Sequence, residues 1–182
     1  MLDPENKKRG RICKSHQRVF QCLLDSGETI EATALGNLLK NEESVVVGDY
    51  VYLDENNTIV EVVERKNEIF RRLVREKKKK VTASNCDVMV ILSSVSRPEY
   101  KRGIVDRFLV RAHQWGIKPL VVFNKMDEFE PGSIDLNFEE DRLREIGVEC
   151  FEISAKDPTL NPKFLALGFL DLKEELKNKT SI

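Results

Sequence analysis

Between residues 11 and 63 the chain alternates apolar and polar positions in short runs. Arg11–Ser15, Arg18–Leu24, Glu28–Leu35, Asp49–Leu53 and Thr58–Val63 are β-branched or alternating, as in Ile30, Ala32 and Ala34 against Glu31 and Thr33. Turn-forming residues separate them: Asp25-Ser26-Gly27, Gly48-Asp49 and Asn56-Asn57. Period-two alternation puts one face of each strand into a core. Five short strands in so few residues predict a small closed barrel, because closure removes the exposed edges of a small sheet. The pattern favours an OB-like barrel and leaves an SH3-like barrel open.

From residue 83 onward the texture changes. Asp87–Ser94 is a near-continuous apolar run, as expected for a strand buried on both faces of a parallel sheet. A helix is predicted from about Ile104 to Trp115, with Ile104, Val105, Phe108, Leu109 and Ala112 on its apolar face and Gly116 as its cap. A strand at Pro119–Phe123, a helix near Phe138–Ile146 ended by Gly147, a strand at Val148–Ile153 and a helix over Pro162–Lys177 follow. This alternation is that of a doubly wound α/β sheet. The chain thus reads as two domains, an all-β barrel over 1–66 and a partial α/β domain over 83–182, joined by a connector over 67–82.

Charge sharpens that division. The chain has 182 residues, 30 Lys+Arg against 31 Asp+Glu, and a net charge of -1. Residues 67–80 nevertheless hold a basic surplus in Arg71, Arg72, Arg75, Lys77, Lys78, Lys79 and Lys80, flanked by acidic regions. Such a run is either a solvated linker or a surface for nucleic-acid phosphate. The barrel contributes only Phe20, Tyr50 and Tyr52 as aromatics, so extensive base stacking is not indicated. The four cysteines, Cys13, Cys22, Cys86 and Cys150, form no C-x-x-C pair and favour a reducing, cytoplasmic setting over a zinc site or disulfide framework. No apolar run is long enough to cross a bilayer and the first residues lack a secretory h-region, so neither membrane association nor secretion is expected.

Ligands of open α/β sheets bind at the carboxyl ends of the strands. Two polar motifs stand there: Asn124-Lys125-Met126-Asp127 after one strand and Ser154-Ala155-Lys156 after the next. Together they describe a guanine site. The Asp127 carboxylate offers two acceptors to guanine N1–H and the N2 amino group, a bidentate match that adenine cannot supply. Asn124 can donate to N7 and tie the loops together, and the backbone N–H of Ala155 can donate to O6. The stem of Lys125 and Lys156 can cover the two faces of the purine, while the Ser154 hydroxyl holds Asp127. The phosphate-binding element G-x-x-x-x-G-K-[ST] is absent, and no glycine in the chain is followed by lysine. The magnesium-associated D-x-x-G is absent as well.

The residues resemble those of the ribosome small-subunit-dependent GTPase A (RsgA/YjeQ) family. The stretches that carry the resemblance are Gly10-Arg11-Ile12-x-Lys14-Ser15-His16, Val47-Gly48-Asp49, Glu64-Arg65-Lys66-Asn67 and Ala83-Ser84-Asn85-Cys86-Asp87. Ile104-Val105-Asp106-Arg107-Phe108-Leu109 and the two guanine motifs complete them. The resemblance implies an OB barrel followed by a circularly permuted, P-loop GTPase-like domain in which the base-recognition motifs precede the P-loop. It further implies GTP/GDP as ligand, Mg²⁺ and a structural Zn²⁺ in the full-length protein, and the small (30S) ribosomal subunit and its rRNA as partners of a monomer. On this reading the chain stops just before the P-loop, and alone is not expected to hydrolyse GTP. The alternative is a non-enzymatic RNA-binding module with a degenerate GTPase remnant.

Overall fold

A computed structural model describes residues 7–36, 38, 45–73, 78–164 and 166–182. The chain divides into two compact units, residues 1–86 and 87–182.

In the first unit the alternating runs form β1 (Lys8–His16), β2 (Val19–Leu24), β3 (Thr29–Ala34), β4 (Tyr50–Leu53) and β5 (Thr58–Val62). They close into a barrel of order β1-β2-β3-β5-β4, in which β3 and β5 run parallel and the other pairs antiparallel. That order is OB-like and decides what the alternation left open. The inward set is Ile12, Phe20, Cys22, Leu24, Ala32, Val45, Val51, Leu53 and Ile59. Each large aliphatic or aromatic side chain of this kind contributes about 1.5–3 kcal/mol by leaving water. Phe20 is part of this core, so of the three barrel aromatics only Tyr50 and Tyr52 face outward.

The stretch read as a connector carries β6 (Glu68–Leu73) and β7 (Lys78–Ser84), an antiparallel pair within the first unit. Its amphipathic residues explain why: Ile69 and Val81 are buried while Arg71, Arg72, Lys79 and Lys80 are exposed. A polar latch holds the pair to the barrel. Fully buried Asp49 accepts from Arg65 Nε at 2.7 Å, Arg65 Nη2 at 2.8 Å, Ser84 Oγ at 2.6 Å and Val46 N at 2.9 Å. Asn85 donates to the Gly48 carbonyl at 3.0 Å and accepts from Lys66 N at 2.8 Å. Asn67 bonds both the N–H and the carbonyl of Cys86. Gly48 has φ +95° and lies so close to β7 that a Cβ there would sit 2.0 Å from the Ser84 carbonyl oxygen. Three of the motifs that carry the family resemblance are therefore one structural joint.

In the second unit β8 (Val88–Ser94), β9 (Lys118–Asn124) and β10 (Glu149–Glu152) form a parallel sheet of order β10-β9-β8. Thr180–Ile182 runs parallel beside β8, with bonds from Val88 N to Thr180 O, Val90 N to Ile182 O and Ile182 N to Val88 O. The helices are α1 (Arg102–Trp115), α2 (Leu136–Glu145) and α3 (Phe169–Glu175). Gly116 caps α1 in the left-handed region, as its position after the apolar face predicts. Asp106 of α1 pairs with Arg142 of α2 at 2.7 Å, and Arg142, Arg102 and Tyr100 all bond the buried carboxylate of Glu139. The last helix begins at Phe169 rather than Pro162. Glu152 takes the N–H groups of Lys163 and Phe164, and Leu167 pairs with β10 through Glu152 N and Cys150 O, so these backbone groups are unavailable to a helix.

Candidate nucleotide-binding site

The two polar motifs meet at the carboxyl end of the sheet. β9 buries four consecutive residues, Leu120–Phe123, before its last residue Asn124, and β10 lies parallel to it in register Glu152↔Phe123, so the chain leaves both strands side by side. Lys125 turns the chain through the left-handed region at φ +67°. That turn sends Met126 into the core, 1% exposed, where its N–H bonds the Ile153 carbonyl at 3.1 Å. Met126 is thus an anchor between the loops, and Asp127 follows it on a single 3₁₀ turn, Met126–Glu128.

Three further contacts join the loops. Ser154 Oγ donates to Asp127 Oδ1 at 2.6 Å, and Lys156 Nζ stands 3.7 Å from Asp127 Oδ2 on an otherwise exposed side chain. Asn124 Oδ1 accepts from Lys125 N at 2.8 Å and from Ala155 N at 3.0 Å. Ser154 Oγ also accepts from Asp157 N at 3.0 Å, which turns the chain after the motif. The Ser154 hydroxyl, backed by Lys156, holds the Asp127 carboxyl below the usual carboxylate range. Asp127 is therefore ionised at neutral pH and keeps acceptor capacity on Oδ2. The Ala155 N–H, which the sequence assigns to a base oxygen, lies on Asn124 Oδ1.

A third loop, which carries neither sequence motif, reaches the same edge. It follows β8 as Val95-Ser96-Arg97-Pro98. Val95 N bonds the Asn124 carbonyl at 3.1 Å, Ser96 Oγ donates to Glu128 Oε2 at 2.6 Å, and Lys125 Nζ donates to the Arg97 carbonyl. Its sequence signal is its place, as the polar segment after a parallel strand, at the end where ligands of such sheets bind. The contact with Arg97 fixes the direction of the Lys125 stem.

The basic residues belong to the first unit. Arg71 stands directly opposite Lys80, and Arg72 opposite Lys79, across the β6–β7 pair. Lys79 has a carboxylate partner in Glu68 and lies over the Phe70 ring. Among the described residues Arg71, Arg72 and Lys80 have no ion pair. Lys78 belongs to β7, whereas Arg75 and Lys77 lie outside the described residues. On the barrel, Arg9 and Arg11 flank the Tyr50 ring at 5.2 and 5.3 Å, and Lys7 lies 5.8 Å from the centre of the Tyr52 ring. Among the described residues no group of three or more His, Cys, Asp and Glu is placed to hold a metal ion. None of the described helices is long and apolar enough to cross a membrane.

Comparison with known proteins converges on one family. The model of the RsgA GTPase family matches residues 62–182. The small ribosomal subunit biogenesis GTPase RsgA of Flavobacterium psychrophilum is 32% identical over 153 residues, covering 79% of this chain and 44% of that protein. Its namesake in Staphylococcus saprophyticus is 36% identical over 124 residues, covering 66% of this chain and 39% of that protein. Among solved structures, YjeQ from Thermotoga maritima superposes with a TM-score of 0.74 at 26% identity, covering 96% of this chain and 59% of that one. YloQ, described as a circularly permuted GTPase, gives a TM-score of 0.71 at 25% identity, covering 100% and 60%. The chain spans about half the length of the curated relatives it matches. With the barrel, the parallel sheet and the paired loops all in place, the chain belongs to the RsgA GTPase family.

Proposed function

We propose that this chain is the guanine-recognition portion of a GTP-binding and GTP-hydrolysing protein that acts in maturation of the small ribosomal subunit. The observation that carries the reading is the joined pair of loops, with Asp127 fixed by Ser154 and Asn124 bonded to Ala155 at the ends of adjacent parallel strands. A carboxylate held in one orientation meets guanine N1–H and the N2 amino group together, whereas adenine offers no such donor pair. Asn124 Nδ2 is the donor for N7. The Ala155 N–H is shared between Asn124 Oδ1 and guanine O6 in a three-centre bond. Lys125 and Lys156 cover the faces of the base. GTP and GDP are the ligands this donor and acceptor set fits. Mg²⁺ and a structural Zn²⁺ remain implications of the family resemblance.

The basic hairpin is assigned to ribosomal RNA phosphate. Cations directly opposite each other across two strands repel, and a polyanion laid along them relieves the repulsion. The relatives' names, which specify small-subunit biogenesis, support this partner.

The deciding experiment is a base swap. Asp127→Asn replaces one acceptor by an N–H₂ that suits the C2 carbonyl of xanthine. In the full-length protein, nucleotide preference moves from guanine to xanthine; unchanged guanine selectivity removes the assignment.

A further inference from the structure

The second unit contains a pair of buried carboxyls that the guanine contacts do not use. Glu152 closes β10 two residues before Ser154 and is 1% exposed, and Glu140 of α2 is 4% exposed. Glu152 Oε2 accepts from Lys163 N at 2.5 Å and from Phe164 N at 3.2 Å. The chain that leaves Ser154-Ala155-Lys156 is thereby hooked back onto the strand it came from. The Phe164 ring packs edge-on against Phe129, with centroids 5.7 Å apart at 85°, and Lys163 Nζ lies 5.4 Å from the same Phe129 ring. Phe129 is the residue that ends the 3₁₀ turn bearing Asp127. One continuous path therefore runs from Glu152 through Phe164 and Phe129 to the base-recognition turn.

Two oxygens in this arrangement lack donors: Glu140 Oε1 and Glu152 Oε1 are both buried and unpaired. Two adjacent carboxylates cannot both ionise cheaply in such a place, and one shared proton satisfies both. Burial, followed by the Glu152 charge, raises the Glu140 carboxyl to about 7, and burial raises Glu152 as well. The other groups facing the pair are Arg144 and Asp141 of α2, Cys150 of β10 and Lys163 of the hooked segment. A cleft of about 290 Å³, lined by Glu140, Arg144, Val148, Cys150, Leu167 and a further carboxylate, Glu149, gives the proton an exchange path to water.

We propose that Glu152 is a positioning residue of the guanine site, with Glu140 as the carboxyl that shares its proton, so that the hook joining the two recognition loops is fastened or loosened by protonation. The proposal rests on the guanine-site reading above. The sign follows from the shared proton. An acid whose folded pKa is raised binds more protons folded than unfolded, so its contribution is present at low pH and lost as pH rises through about 7. Above that value the two carboxylates repel, the hooked segment loosens, and Asp127 loses its buttress.

The test has two readouts between pH 6 and 8. Hydrogen exchange, corrected for its intrinsic pH dependence, reads the protection of the Lys163 and Phe164 amides without nucleotide. Fluorescent GDP titration of the full-length protein reads affinity. Wild type is expected to lose protection and about fivefold or more in affinity as pH rises, while Glu140→Gln, which keeps a neutral donor, flattens both profiles. Glu152→Ala lowers both at every pH, and Glu152→Gln restores part of the loss. A flat wild-type exchange profile overturns the proposal even if every variant fails to fold. Equal slopes in wild type and Glu140→Gln overturn it too. Guanine preference unaltered by Asp127→Asn removes the site reading and this proposal with it. A switched preference alongside a flat affinity profile overturns this proposal alone.

Discussion

Ser154 Oγ donates to Asp127 Oδ1 at 2.6 Å and so joins two loops 27 positions apart in the chain. The bond occupies one acceptor site on Oδ1 and prevents rotation of the carboxylate, leaving Oδ2 directed by Lys156. A carboxylate that cannot rotate is preorganised for bidentate recognition, because its orienting entropy is lost on folding rather than on binding.

Removing that hydroxyl lowers guanine affinity. Without it the carboxylate has to be ordered when the base binds, so Ser154→Ala is expected to weaken GDP binding by about two- to tenfold. The pH profile moves as well. The lowered Asp127 pKa keeps the carboxylate charged through mildly acidic pH, and recognition is lost only as pH falls through that lowered value. GDP affinity measured downward from neutrality is expected to fail at a higher pH in Ser154→Ala than in wild type.

The latch of the first unit makes a stability prediction. Arg65→Ala leaves the fully buried Asp49 carboxylate without its guanidinium and costs about 3–5 kcal/mol. Asp49→Ala costs a similar amount, and the double variant costs clearly less than the sum, since both lesions break one pair. Urea denaturation of the three variants measures this.

Two glycines separate conformational strain from crowding. Gly48 and Gly116 both have positive φ, but a Cβ at Gly48 meets the Ser84 carbonyl oxygen at 2.0 Å whereas a Cβ at Gly116 meets nothing within 4 Å. Gly116→Ala therefore costs about 1–2 kcal/mol. Gly48→Ala carries that cost plus backbone displacement, about 2–5 kcal/mol in all. Thermal melting ranks the two.

On the basic hairpin, Arg72→Ala and Lys80→Ala are expected to weaken small-subunit RNA binding and to reduce its salt dependence by about one ion per lost phosphate contact. Both positions are exposed, so stability stays within about 0.5 kcal/mol of wild type. An unchanged salt slope assigns the hairpin a purely structural role.

Much of this was legible in the chain. The barrel strands, the α/β alternation and Gly116 as a cap follow from periodicity and turn chemistry, which act locally. The two loop motifs are legible because each directly follows an apolar strand. Charge alone marks the stretch as a connector, since lysines and arginines dominate residues 71–80 and hide the two buried positions, Ile69 and Val81, that make the segment a hairpin. Apolar spacing in 162–168 suits a longer last helix, but Glu152 and β10 take those backbone groups instead.

The sequence by itself determined which residues alternate, which polar motifs follow the apolar strands and which family they resemble, because these depend on neighbours along the chain. Only the tertiary structure decided that the Met126 side chain is buried and ties the two loops together, that Val47-Gly48-Asp49, Glu64–Asn67 and Ala83–Cys86 form one latch, and that Glu140 and Glu152 are buried close together. The physical reason is the same in each case. A buried polar group must find its partner wherever the fold brings one, and sequence separation carries no information about that distance.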